Sequence, residues 1–147
     1  MQSGELRFEQ IEFGSEDYQQ AVSLRDAVLR KPLGLHYTKE QLEAEQDSWH
    51  LVCKMGKIIV GSVILKPETD KVIRMRQFAV QEDLQGQGIG RFLSENCEQM
   101  AKQAGYSEML LHARESVIPF YQKLGFQSEG DRFFEVTLPH YKMRKPL

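Results

Sequence analysis

Three glycines, Gly86, Gly88 and Gly90, stand where an extended run, Lys71-Val-Ile-Arg-Met-Arg-Gln-Phe-Ala-Val80, gives way to a helical one. Between them and the extended run lies the polar turn Gln81-Glu-Asp-Leu84. Downstream, Ile89, Phe92, Leu93, Cys97, Met100, Ala101 and Ala104 recur at roughly 3.6-residue spacing, with Arg91, Glu95, Glu98, Lys102 and Gln103 on the other face. That pattern predicts an amphipathic helix, and Gly105 predicts its left-handed end. Glycines at a strand-to-helix junction let backbone approach a bound group closely, and the first-turn amides that point at it favour an anion, most often a phosphate. A dinucleotide fold would need glycine where Arg91 stands, and a Walker A loop would need Gly-Lys-Ser/Thr where the chain has Ile89-Gly90-Arg91. Both familiar nucleotide loops are thus excluded, and an ordinary helix start behind a flexible loop is the competing reading.

The rest of the chain supplies the frame for this loop. Its 147 residues suit one domain, 1–147, with a core large enough to need no staples. Hydrophobic residues at 41% and charged residues at 27% argue against disorder and against a membrane class. A net charge of −2 lacks the basic footprint of a nucleic-acid binder. The segment Met1 to Gln10 has no apolar core and carries acidic residues, so neither a signal nor a transit peptide is expected, and a cytoplasmic location is. Cys53 and Cys97 read as buried small hydrophobes in a reducing compartment. Neither lies near another ligand-type residue at metal-site spacing, so no metal is expected.

Leu6, Phe8 and Ile11 or Phe13 alternate with polar residues as a first strand. Ser15 caps a helix from Glu16 to about Arg30, which Pro32 and Gly34 stop. Thr38-Lys-Glu-Gln41 is a capping box that opens a shorter helix. Trp49 to Met55 and Lys57 to Leu65 make a hairpin around Gly56, and a strand from Lys71 to Val80 follows. Ser107 to His112 is a buried strand after the long helix, so the strand, helix and strand form a parallel pair within an otherwise antiparallel meander. A last helix runs from Glu115 or Ser116 to Leu124, and residues 126–147 read as two strands joined through Gly130-Asp131. The fold class is α+β with a mixed sheet.

Two motifs give this frame a family likeness. Gln85-x-x-Gly88-x-Gly90 after Ala79-Val80 resembles the pyrophosphate loop of the GCN5-related N-acetyltransferases (GNAT), and Ala113-Arg-Glu-Ser-Val-Ile-Pro-Phe-Tyr-Gln-Lys-Leu-Gly-Phe126 resembles that family's later helix. The ending Phe134 to Met143 resembles a small bacterial branch whose substrates are mostly unassigned. The likeness implies a three-layer fold: a mixed, mostly antiparallel sheet of about seven strands, helices on both faces, and the parallel pair at the cofactor cleft. It implies an acetyl-CoA-dependent N-acetyltransferase in which an amine attacks the thioester directly in a ternary complex; a non-catalytic acyl-CoA sensor is the alternative. A small-molecule or peptide amine would be the acceptor, and homodimers are common in the family.

The likeness also assigns residues. Gln85, Gly86, Gln87, Gly88, Ile89, Gly90 and Arg91 would hold the pyrophosphate through their amides, and the backbone of Phe78, Ala79 and Val80 would hold the pantetheine arm and polarise the thioester carbonyl. Tyr121 matches the family tyrosine that protonates the departing thiolate. Glu135 and His140 fall in the terminal segment, placed to fold back across the cleft as the proton-accepting side, with His112 next in rank and His36 and His50 last. Strict alternation puts Arg74 and Arg76 on the face of Phe78 and Val80. Two cations there call for an opposing charge, from Glu135 or Glu115 or from a carboxylate or phosphate on the acceptor.

Overall fold

Among the described residues the sheet carries seven strands in the order β1-β2-β3-β4-β5-β7-β6, of which only β4 and β5 pair in parallel. The computed structural model describes residues 5–147. The strands are β1 (Leu6–Ile11), β2 (Trp49–Met55), β3 (Ile58–Pro67), β4 (Val72–Val80), β5 (Glu108–Arg114), β6 (Gln127–Glu135) and β7 (Leu138–Pro146). The helices are α1 (Glu16–Arg25), α2 (Lys39–Glu43), α3 (Ile89–Gln103) and α4 (Ile118–Lys123). A parallel pair needs a crossover, and α3 is that crossover, which puts its N-terminus at the end of β4.

Successive residues of a strand point to opposite faces, and the core divides accordingly. Leu51 and Cys53 of β2 pack with Leu93, Cys97 and Ala101 of α3 and with Tyr121 of α4. Val52, between them in sequence, packs with Tyr18 and Ala21 of α1. Helices therefore cover both faces, α3 and α4 on one and α1 on the other. At the end of α4 the amide of Phe126 returns to the carbonyl of Tyr121 (3.0 Å), closed by Gly125 at φ 97°. This cap fixes the last turn of the helix and with it the tyrosine.

The helix expected to reach Arg30 is α-helical only to Arg25. Asp26–Arg30 winds as one π turn and Lys31–Leu33 as a 3-10 turn, the break coming at Pro32, which has no amide hydrogen to return to the preceding turn. The wider turn lets the carbonyl of Leu29 accept from Arg114 Nη2 at 2.7 Å. Beside α1 lies a buried charge pair: Arg25 Nη2 donates to Glu45 Oε2, Tyr18 donates its hydroxyl to Glu45 Oε1 (3.1 Å), and His50 Nε2 meets the Glu45 carbonyl at 2.8 Å.

The final hairpin also differs from expectation. β6 and β7 turn at Val136-Thr137, while Gly130 lies inside β6 where the register slips between Glu129 and Phe133. Gly130-Asp131 reads as a turn in sequence because glycine marks bulges as well as turns. Val136 and Thr137 stand at φ 51° and 65°, a conformation β-branched residues strongly disfavour. Replacing the pair by Asn-Gly, which suits a two-residue hairpin, is expected to stabilise the fold by roughly 1–2 kcal/mol. Differential scanning calorimetry should show a rise of about 2–8 °C in Tm, and an unchanged or lower Tm would refute the strain.

Candidate active site

β4 and β5 are in register from Val72–Glu108 to Met75–Leu111 and then part. β5 keeps its other neighbour, pairing with β7 as far as Arg114–His140. The separation leaves a slot through the sheet, part of a cleft of about 510 Å³ that the end of β4, the glycine loop, α4, the π turn and the β6–β7 hairpin close around.

A bulge in β4 sets which residues face which side. Ser62 pairs with Ala79 and Ile64 with Arg76, so Gln77 and Phe78 oppose Val63 alone, and Gln77 takes φ 55°. The extra residue reverses the alternation. Phe78 and Val80 thereby join Ile73 and Met75 on the face of α3 and α4, and Arg74 and Arg76 lie on the opposite face, that of α1. The expectation that the arginines share a face with Phe78 and Val80 fails at this residue. Tyr37 donates its hydroxyl to Gln77 Oε1, and its ring lies 4.5 Å from the Arg25 guanidinium and 4.4 Å from that of Arg30.

On the α3 side, Gly88 caps the helix at φ 89°. The amides of Gly86 to Arg91 have no hydrogen-bond acceptor among the described residues, as the start of a helix dictates. Gln85 Nε2 donates to the Val80 carbonyl at 3.0 Å, tying the loop to the end of β4. Gly90 is compelled by packing, since a Cβ there would stand 2.9 Å from Phe120 Cζ. Ile89 turns its side chain into the core, Gln87 is exposed, and Arg91 lies along the helix surface 4.0 Å from Glu95.

Ala79 is buried, and Phe78 meets Phe120 and Tyr121 with ring centroids 5.9 and 6.0 Å apart. Tyr121 is buried between Phe78, Phe120 and Phe126 yet reaches the cleft wall. Burial pushes its phenol well above the ordinary range, with the Arg114 charge partly opposing that, so the hydroxyl is held protonated.

On the α1 side, Glu135 from the hairpin stands 3.2 Å from His112 Nδ1 and 3.6 Å from His140 Nε2. Phe133 packs between the two imidazoles, its centroid 5.0 Å from His112 and 5.9 Å from His140. His140 Nδ1 meets the Leu138 carbonyl at 2.9 Å. His112 Nδ1 lies between Arg74 Nη2 at 2.8 Å, which can only donate, and Glu135 Oε1 at 3.2 Å, which as a carboxylate can only accept, so the two neighbours favour opposite tautomers of the ring. Burial pushes the His112 pKa below its ordinary 6.5, the contact with Glu135 partly opposing this and Arg74 adding to it, which favours the neutral ring. Arg74 is itself depressed by burial and then by Arg76, and is partly answered by Glu135 and Glu68 at 3.8 and 3.9 Å. Glu115 does not answer it, being paired with Arg132 at 3.6 Å.

The structure thus brings Phe78 to Val80, Gln85, Gly86, Gly90, Arg76, Tyr121, Glu135, His140 and His112 to one cleft, and leaves Arg74, Gln87, Gly88, Ile89 and Arg91 out of its lining. His36 is exposed beside Asp26 and His50 is buried under α1, both away from it. Arg30 and Arg114 line the cleft and were not singled out in sequence. Pro32 close behind Arg30, and Arg114 inside the second motif, were the signals available.

The family described as the acetyltransferase (GNAT) domain matches residues 15–147. The uncharacterized N-acetyltransferase YjcF of Bacillus subtilis is 26% identical over 131 residues, which cover 88% of this chain and 93% of that protein. A crystal structure from Lactobacillus plantarum is similar at a TM-score of 0.86 with 22% identity, covering 97% of this chain and 98% of its own. That of a GNAT family acetyltransferase from Elizabethkingia anophelis, which has acetyl-CoA bound, is similar at 0.76 with 18% identity, covering 97% and 98%. At these identities the two structures bear on the fold; the family match, which spans the whole of the cleft, carries the rest. The chain belongs to the GNAT family of acetyltransferases and is an acyltransferase.

Proposed function

We propose that the protein transfers an acetyl group from acetyl-CoA to a primary amine by direct attack within a ternary complex. The observation that carries this reading is the run of amides without acceptors among the described residues, Gly86 to Arg91, whose Gly86 and Gly90 line the cleft that Tyr121 also lines. A pyrophosphate suits those amides, because the start of a helix gathers positive partial charge and the glycines keep side chains off it. Acetyl-CoA supplies the acetyl group as an activated thioester. The backbone of Phe78 to Val80 has no β5 partner at this point, which supports a role for it in lining the pantetheine arm.

Two proton movements complete the reaction, one on each side of the slot. Tyr121, kept protonated by burial, gives its proton to the departing thiolate. Glu135, half-exposed at the cleft and flanked by His112 and His140, receives the proton of the amine. Arg74 and the Phe133 ring hold the two histidines in place.

Thiol release from acetyl-CoA, followed against a library of amino acids, polyamines, aminoglycosides and peptide N-termini, tests the activity. Tyr121→Phe is expected to lower kcat about 10- to 1000-fold with the acetyl-CoA Kd nearly unchanged, since the phenol acts only as the thiolate leaves. Unchanged turnover with a good acceptor would make Tyr121 a packing residue.

A further inference from the structure

The chain has nine arginines, and their pairing divides them sharply. Arg7, Arg25, Arg74, Arg91, Arg132 and Arg144 each lie within 4.0 Å of a carboxylate. The other three, Arg30, Arg76 and Arg114, have no carboxylate at ion-pair distance among the described residues, and residues 1–4, Met-Gln-Ser-Gly, contain none. All three line the cleft. Guanidiniums distributed at random between paired and unpaired positions would not sort in this way.

Their positions are built. Arg114 Nη2 is anchored on the Leu29 carbonyl and Arg30 is stacked on Tyr37 at 4.4 Å, so two of the three planar forks are held in place before any ligand arrives. Arg30 and Arg114 lie near enough that each repels the other, an effect that adds to burial in depressing the Arg114 pKa. Cations placed together without a counterion in a half-buried cleft are costly unless a ligand answers them. The phosphates of the donor are not that ligand in this arrangement, because the acceptor-free amides lie at the start of α3, whereas Arg76 sits on the opposite, α1 face of the sheet with the π turn that carries Arg30. Glu135, the single carboxylate among the described residues that line the cleft, lies beside Arg74, His112 and His140 and within 4.0 Å of none of the three arginines.

We propose that the acceptor is a small amine that also carries an anionic group, a carboxylate or a phosphate, and that Arg30, Arg76 and Arg114 bind that group while Glu135 faces the amine. The proposal rests on the acetyltransferase reading above and narrows its acceptor. It replaces the pair Arg74 and Arg76 suggested by strand alternation, since Arg74 is committed to His112 and to its own carboxylates. The cleft's 510 Å³ must also admit the end of the pantetheine arm, which keeps the acceptor small.

The test uses matched acceptors that differ only in the anion: amino acids, their C-terminal amides, the corresponding aminoalkyl phosphonates, and spermidine as a polycation. Thiol release gives kcat/KM for each at saturating acetyl-CoA, and calorimetry gives the acetyl-CoA Kd separately. Acids or phosphonates are expected to exceed their neutral partners by about tenfold or more, the worth of one charge-assisted hydrogen bond; whichever of the two is preferred identifies the anion. Arg30→Gln, Arg76→Gln and Arg114→Gln should each erode that preference with acetyl-CoA Kd unchanged, and Arg114→Lys should restore part of it. The side chains of Arg30 and Arg76 make no hydrogen bond to the fold among the described residues, so their variants remain informative if Arg114→Gln folds poorly. Equal or better use of amides or spermidine, turnover of no anionic amine by protein that binds acetyl-CoA, or weakened acetyl-CoA binding in the glutamine variants each overturns the proposal while leaving the acetyltransferase reading intact. Failure of the wild type to bind acetyl-CoA overturns both.

Discussion

Gly88→Glu is expected to abolish acetyl-CoA binding while leaving the fold in place. Gly88 begins α3 at φ 89°, and a Cβ built there meets no atom within 4 Å, so the substitution adds backbone strain but no clash. What it adds beyond strain is a carboxylate at the mouth of a ring of amides proposed to hold a pyrophosphate. Repulsion and competition for the same donors then act together. The wild type should gain about 2.7 kcal/mol of stability at acetyl-CoA one hundredfold above Kd, and the variant none. Gly88→Ala carries the same strain without the charge and should lose affinity only in part. Equal thermal stabilisation of the wild type and Gly88→Glu by the ligand would remove the loop from the donor site.

The second large effect lies away from the cleft. Glu45→Ala is expected to destabilise the protein by about 3–5 kcal/mol, because it strands the buried Arg25 guanidinium and removes the acceptor of the Tyr18 hydroxyl. Arg25 is 2% exposed, its Nε has no partner among the described residues, and none of their other carboxylates lies within 4.0 Å to take over. Thermal unfolding should show a fall in Tm of roughly 6–20 °C. The loss should also reach the cleft, since Arg25 lies over Tyr37 and Tyr37 holds Gln77 at the β4 bulge. A change below about 1 kcal/mol, the usual worth of an exposed pair, would contradict the burial described here.

Periodicity carried most of the fold. The apolar stripe of α3, the glycines before it and Gly105 after it all have local causes, and so does the parallel pair that a strand-helix-strand order requires. Local causes also run out at identifiable residues. Alternation along β4 holds only while pairing is regular, and the bulge at Gln77 moved Arg74 and Arg76 to the other face. Val136-Thr137 turns the chain with no residue suited to positive φ, so turn chemistry pointed instead to Gly130-Asp131, which the bulge in β6 uses. The placement of Arg30 and Arg114 depends on the π turn and on carboxylates distant in sequence, and no window of the chain contains that information. The glycine loop was legible as an anion site from its spacing, whereas the countercharges around the acceptor became visible only once every ion pair was placed.

The most direct measurement is a crystal structure of the protein with acetyl-CoA. The account predicts the pyrophosphate on the amides of Gly86 to Arg91 and the thioester inside the slot where β4 leaves β5, beside the Tyr121 hydroxyl, with Arg30, Arg76 and Arg114 still free on the far side. A pyrophosphate bound by those arginines, or a thioester lying outside the slot, would contradict it.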